Sequence, residues 1–198
     1  AVMEAGYGSY VAAAYNDRPS ESDVLKIGSD LDMKLHGLKT RLFDRHGFGS
    51  LNATKRLIHQ IIRINPVIIH LHNIHGYYIH IGILFDYLKK TSKPVVWTLH
   101  DCWPFTGHCA HFQYVYCDKW KTQCHDCPLT HGYPASWLVD NSHRNYMYKR
   151  EIFNGVKNLT IVSPSEWLAR HIKNSFLSDY DIRVINNGVD INNFRPAS

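Results

Sequence analysis

The chain has 198 residues, 44% of them hydrophobic and 20% charged, the balance of an ordinary globular protein with one sizeable core. Its most apolar stretches are short and interrupted, which argues against a membrane-spanning helix and for a soluble chain. A formal charge of +5 favours contact with anions but does not choose among nucleotides, phospholipid surfaces and nucleic acid.

The leading AVMEAG lacks an initiating Met and the basic and apolar regions of a secretory signal, and it reads as a cut end. If it is a helix tail, the strand that should precede it is missing, together with any Gly-rich first turn. GSYVAAAY (8–15) reads as a strand, DLDMKLHGLKTRLF (30–43) as an amphipathic helix and DRHGFGS (44–50) as a Gly-rich connection.

From residue 50 the alternation is plainer. Ser50 is expected to cap a helix whose apolar positions Leu57, Ile58, Ile61 and Ile62 recur at helical spacing until Pro66 stops it. VIIHL (67–71) is a β-branched run of the kind a doubly covered strand shows, and YYIHIGILFDYLKK (77–90) reads as a helix. PVVWTL (94–99) is a second strand, 136–155 a helix closed by Gly155, and NLTIVS (158–163) a third strand. A helix capped by Ser165 and a short strand, IRVIN (182–186), follow. Strands alternating with helices predict a doubly wound parallel α/β sheet, Rossmann-like.

In such sheets ligands gather beyond the carboxyl ends of the strands. HLHNIHG (70–76) brings His72, Asn73 and His75 to the end of one strand, and TLHD brings His100 and Asp101 to the end of another. Imidazoles and a carboxylate at one sheet edge make a pocket signature. His70 and His80, inside elements, read as structural. A nucleophile built from Cys102 and His100 has poor geometry two residues apart on an extended segment, so Cys102 reads as packing.

The excursion over 101–134 carries Cys109, Cys117, Cys124 and Cys127, with seven, six and two residues between successive cysteines and a C-x-x-C pair at its end. Four thiolates suit a tetrahedral structural zinc, although the first pair is wider than in the commonest zinc ribbon. Free buried thiols and two disulfides are the alternatives, and His108, His111 or His125 could replace one sulfur.

HLHNIHGYY, TLHDCWPFTGHC, CDKWKTQCHDCP, SPSEWLARHIKNSF and VINNGVDINNFRP together resemble the N-terminal domain of family 4 glycosyltransferases of the GT-B fold, of the bacterial capsule and exopolysaccharide type. The resemblance implies an acceptor domain over 1–185, an interdomain linker over 186–198 and a C-terminal donor domain that this chain lacks, so that the chain alone would be inactive. It implies sugar transfer from a nucleotide-sugar, bound mostly by the absent domain, to a saccharide or lipid-linked acceptor. Transfer would proceed with retention and without a catalytic metal. His100 would then stand near the transferred sugar and donor phosphate, His72, Asn73, His75 and Asp101 on the substrate side, and Asn187 and Gly188 near the hinge.

The rival reading is a zinc-stabilised α/β module that binds nucleic acid or another partner through FQYVYCDKWK. Asp101, Asp118 and Asp126 offset Lys119 and Lys121 there, so no basic stripe forms and no nucleic-acid partner is expected. A third reading makes the histidines incidental to a purely structural domain. A cytoplasmic protein is expected, with peripheral contact to the inner face of the plasma membrane through LKTRLF, where Lys39 and Arg41 could meet anionic headgroups.

Overall fold

A computed structural model describes residues 3–15, 19–190 and 194. Of the expected linker, 191–193 and 195–198 lie outside the described residues, as do residues 1–2 of the leading stretch. Met3 to Gly6 form a turn, closed by a hydrogen bond from Gly6 N–H to Met3 O.

All strands pair in parallel. β1 (Tyr10–Ala13) and β2 (Asp23–Lys26) form a two-stranded sheet. β3 (Ile69–Leu71), β4 (Val95–Thr98), β5 (Leu159–Ser163) and β6 (Asp181–Val184) form a four-stranded sheet in that order. Helices fill the crossovers of the larger sheet, as parallel pairing demands. α1 (Asp30–Phe43) and α2 (Leu51–Ile64) lead into β3, and α3 (Ile81–Lys90), α4 (Ser142–Phe153) and α5 (Glu166–Lys173) join the successive strands of the larger sheet. The result is the expected parallel, Rossmann-like α/β architecture. β2 was not foreseen: DVLK is four residues long, with both ends exposed, and carries no apolar run.

Several boundaries differ from the sequence pattern for identifiable reasons. α1 covers the predicted span because Ser29 and Asp32 form a capping box, each side chain bonding the other's backbone N–H. Ser50 flanks α2 but does not cap it. Its backbone is left-handed (φ 55°), and its hydroxyl accepts from His36 Nδ1 at 2.9 Å and donates to Tyr77 O at 3.2 Å. α3 starts at Ile81 rather than residue 77, because His80 takes the cap position and its Nδ1 accepts from Ile83 N–H. α4 starts six residues after its predicted start: Asp140 accepts from Ser142 N–H at 2.8 Å, and Trp137 N–H is bonded to Arg41 O. Ser165 caps α5 as expected.

The core lies between the larger sheet and α3, α4 and α5. Trp97 meets Phe85 at 5.2 Å and Phe153 at 4.9 Å between ring centroids, all three fully buried, and Leu84, Leu88, Ile161, Leu168 and Ile172 complete the packing. Each such side chain contributes roughly 1.5–3 kcal/mol by leaving water. α1 is different: it buries His36 and Thr40, while Leu31, Leu35 and Leu38 are 64%, 56% and 51% exposed.

His36 is a polar member of the interior with a fixed tautomer. Nε2 accepts from Gly49 N–H at 3.1 Å, so Nδ1 carries the proton it gives Ser50. Burial, with Lys39 nearby, brings its pKa down from 6.5 to about 4. The folded state therefore binds fewer protons than the unfolded chain between those values, and this stability is complete above pH 6.5 and lost as pH falls toward 4. Unfolding stability is expected to drop by ~3 kcal/mol across that window. Chemical denaturation at pH 7 and pH 4 checks this, and His36→Gln should flatten the dependence.

Candidate active site

The strand-end histidines come together. β3 and β4 are hydrogen-bonded neighbours with Leu71 opposite Trp97, so the residues that follow them emerge side by side. His72 Nδ1 lies 3.0 Å from His100 Nε2, the two rings stacked at 5.4 Å between centroids, and both residues are exposed. His70 is exposed beside them: its Nε2 is 2.8 Å from Thr98 Oγ1, and its ring lies 4.2 Å from that of His72, so it joins the cluster. Burial, then the neighbouring imidazoles His70 and His100, hold the pKa of His72 below the ordinary histidine value.

One of the two facing nitrogens must donate and the other accept, so a neutral pair carries one proton in the shared bond. In either tautomeric arrangement the pair's outer nitrogens comprise one N–H and one lone pair. That is the complement of a hydroxyl group, which both donates and accepts.

A second pair stands beside the first. His75 Nε2 donates to Asp101 Oδ2 at 3.0 Å, and Asp101 Oδ1 accepts from Trp103 N–H at 2.9 Å. His75 is 5% exposed and stacks on Trp103 at 4.7 Å. Burial alone would raise the pKa of Asp101, but the His75 and Trp103 hydrogen bonds carry it below the usual carboxylate value. Asn73 is exposed, and its carbonyl accepts from Tyr78 Oη. Asn187 and Gly188 lie apart from these groups, in exposed chain after β6, two strands away from β4.

Sequence reasoning did not single out His46, Tyr77 or Trp103. His46 is 2% exposed with both ring nitrogens buried and unpartnered, packed against His75, Tyr77, Trp103 and Tyr133 at 4.8–5.8 Å. Tyr77 in turn lines a cavity of about 980 Å³, together with Tyr15, Lys26, Lys34, Arg41 and Trp137. This cavity opens where β1 and β2 end, so the aromatic contacts connect it to the tips of β3 and β4. No sequence period marks these residues, because each belongs to a different loop or element.

The cysteine-bearing stretch between β4 and α4 folds as three single 3-10 turns, Trp103–Phe105, Gln113–Val115 and Lys119–Lys121, joined by loops. All five cysteines are free thiols. Among the described residues, no three Cys, His, Asp or Glu side chains stand in a geometry ready to hold a metal ion.

The model of glycosyltransferase family 4 matches residues 4–193, nearly the whole chain. The chain belongs to that family. It is also similar to a protein of Escherichia coli (strain K12) named as the colanic acid biosynthesis glycosyl transferase WcaC, with 35% identity over 161 residues. That match covers 76% of this chain and 38% of the relative, so the family 4 chain described here spans well under half of the relative's length. No solved structure matches it. Among the described residues no helix is long and apolar enough to cross a membrane.

Proposed function

We propose that this family 4 chain is the acceptor-side half of a GT-B enzyme that transfers a sugar from a nucleotide-sugar, with retention, to a saccharide or lipid-linked acceptor in polysaccharide assembly. The observation that carries the reading is the His72–His100 pair, exposed at adjacent strand ends with one donor and one acceptor nitrogen directed outward from the shared bond. His100 is the group at the reacting sugar, hydrogen-bonding its hydroxyls or the charge that develops on the departing phosphate. His72 and Asn73 hold substrate hydroxyls. His75 is buried, so it acts through Asp101, whose carboxylate it fixes at the rim. Asn187 and Gly188 contribute from the hinge to a second domain that carries most of the nucleotide contacts.

The large cavity suits the acceptor. Lys26, Lys34 and Arg41 supply charge for a phosphate-bearing group and Tyr15, Tyr77 and Trp137 supply flat apolar surface for sugar rings. The enzyme works in the cytoplasm at the inner face of the membrane. Supporting this, Leu31, Leu35 and Leu38 form an exposed stripe at helical spacing on α1, with Lys34, Lys39 and Arg41 exposed on the same helix to meet anionic headgroups. One further parallel strand pairing with both β1 and β3 would join the two sheets into one.

Assay of the full-length protein against a panel of nucleotide-sugars tests the reading. Release of nucleoside diphosphate from one donor, with a product whose anomeric configuration matches that donor by NMR, is the expected result. Inverted configuration would remove retention, and no turnover with any donor and membrane-extracted acceptor would remove the proposal.

A further inference from the structure

Cys109, Cys117, Cys124 and Cys127 all line one small cavity, 10 Å³ in volume and walled by Phe112, Trp120 and Leu129. That is room for one atom-sized occupant, far too little for a substrate. The thiols already touch in part. Cys109 and Cys127 are hydrogen-bonded to each other, and Cys124 lies within electrostatic reach of Cys117 and Cys127. Backbone donors are aimed at the sulfurs: Gly107 N–H donates to Cys124 Sγ at 3.2 Å, and Leu129 N–H donates to Cys127. Such donors stabilise thiolate more than thiol, because the anion is the better acceptor.

Buried nitrogen-bearing side chains surround the cavity. His108 lines the same cavity and is 2% exposed; its Nδ1 is bonded to Asp44 at 2.6 Å, and its Nε2 is buried with no hydrogen-bond partner. Lys149 is 1% exposed and gives its ammonium protons to the carbonyls of Trp103 and Thr106, within reach of Cys109 and Cys124. Lys119 binds the carbonyls of His125 and Asp126 and so fixes the turn that carries Cys124 and Cys127.

We propose that Cys109, Cys117, Cys124 and Cys127 bind one structural zinc ion, with the Gly107 and Leu129 N–H groups aimed at its sulfurs and the His108 and Lys149 side chains packed around the site. Binding exchanges protons for metal: four thiols lose four protons, and the Zn(Cys)4 centre carries two negative charges. Protonated thiols leave nothing to draw all four sulfurs to one point; a divalent ion does, and a soft tetrahedral sulfur set selects zinc over oxygen-seeking cations. His108 is held beside the site from behind by Asp44, which fixes its ring through Nδ1. The centre locks the loop whose start carries Asp101 and Trp103, so it shapes the rim of the candidate site without entering the chemistry. It does not depend on the sugar-transfer reading.

The test is metal analysis of the protein purified under reducing conditions without added metal. About one zinc per chain is expected, falling to below about a tenth in Cys124→Ser and Cys127→Ser and unchanged in Cys102→Ser, whose sulfur lies outside the cavity. If the cysteine variants do not fold, titration of the wild type with a mercurial thiol reagent replaces them: zinc release tracking modification of four thiols supports the centre. Metal-free folded protein with four reactive thiols, a Cys109–Cys127 disulfide by mass spectrometry, iron in place of zinc, or zinc retained equally by every variant overturns it.

Discussion

His100→Ala in the full-length enzyme lowers kcat for sugar transfer by about 10²–10³-fold, the effect of removing one donor aimed at developing charge, and leaves the fold intact. The second half of that result follows from exposure. His100 is at the surface beyond β4, and its recorded polar contact is to the equally exposed His72, so truncation costs within roughly 0.5 kcal/mol of stability. Loss of turnover without loss of thermal midpoint separates a chemical role from a packing one. The pH profile gives a further readout. A neutral pair shares one proton between Nδ1 of His72 and Nε2 of His100 and keeps one outward acceptor, whereas adding a proton leaves the shared bond in place but turns both outer nitrogens into donors and removes that acceptor. Because burial and neighbouring imidazoles hold His72 below the ordinary value of 6.5, activity should be flat near neutrality and fall only on the acid side of 6.5. That limb should be absent from the residual activity of His100→Ala. Unchanged turnover in the variant would make the histidines incidental to the fold.

The parts of the molecule that could be read from sequence are those governed by local rules. β4 and β5 follow from short β-branched runs covered on both faces, and α5 from Ser165, whose cap requires residues within three positions of each other. His72 and His100 were legible for the same reason: a strand end is a local feature, and parallel pairing of β3 with β4 then determines that the two ends meet. Where long-range contacts decided, the pattern failed. Ser50 has the chemistry of a cap, but His36 and Tyr77 claim its hydroxyl. The 136–155 pattern is helical throughout, yet its first turn is given up to bonds with Asp140 and Arg41. His75 is a strand-end histidine like His72, but it turns inward because Asp101 and Trp103 offer it a carboxylate and a ring face.

Asp44 is the clearest case of a residue that looked like loop and is structural, and Asp44→Ala is expected to cost about 3–5 kcal/mol of stability, the range for stripping one partner from a buried ion pair. The side chain is 0% exposed. Oδ1 meets His108 Nδ1 at 2.6 Å, and Oδ2 accepts from Asn141 N–H at 2.9 Å. Its backbone carbonyl accepts from Asn145 Nδ2 at 2.7 Å, and its own N–H closes α1 on Thr40 O. One residue therefore ends α1, starts the turn into α4 and holds the histidine at the cysteine cluster. It does so in a left-handed backbone conformation (φ 48°) that Asp and Asn tolerate better than Ala. Alanine loses both oxygens and strains the turn; Asn keeps the conformation and one acceptor, so Asp44→Asn should cost clearly less. Urea unfolding measures both, with the midpoint falling and the slope unchanged if the denatured state is unaffected. A double-mutant cycle with His108→Gln isolates the pair, since the two side chains touch and their effects should not add. A cost below about 1 kcal/mol for Asp44→Ala, or full additivity with His108→Gln, would mean that water or a rearranged turn replaces the carboxylate.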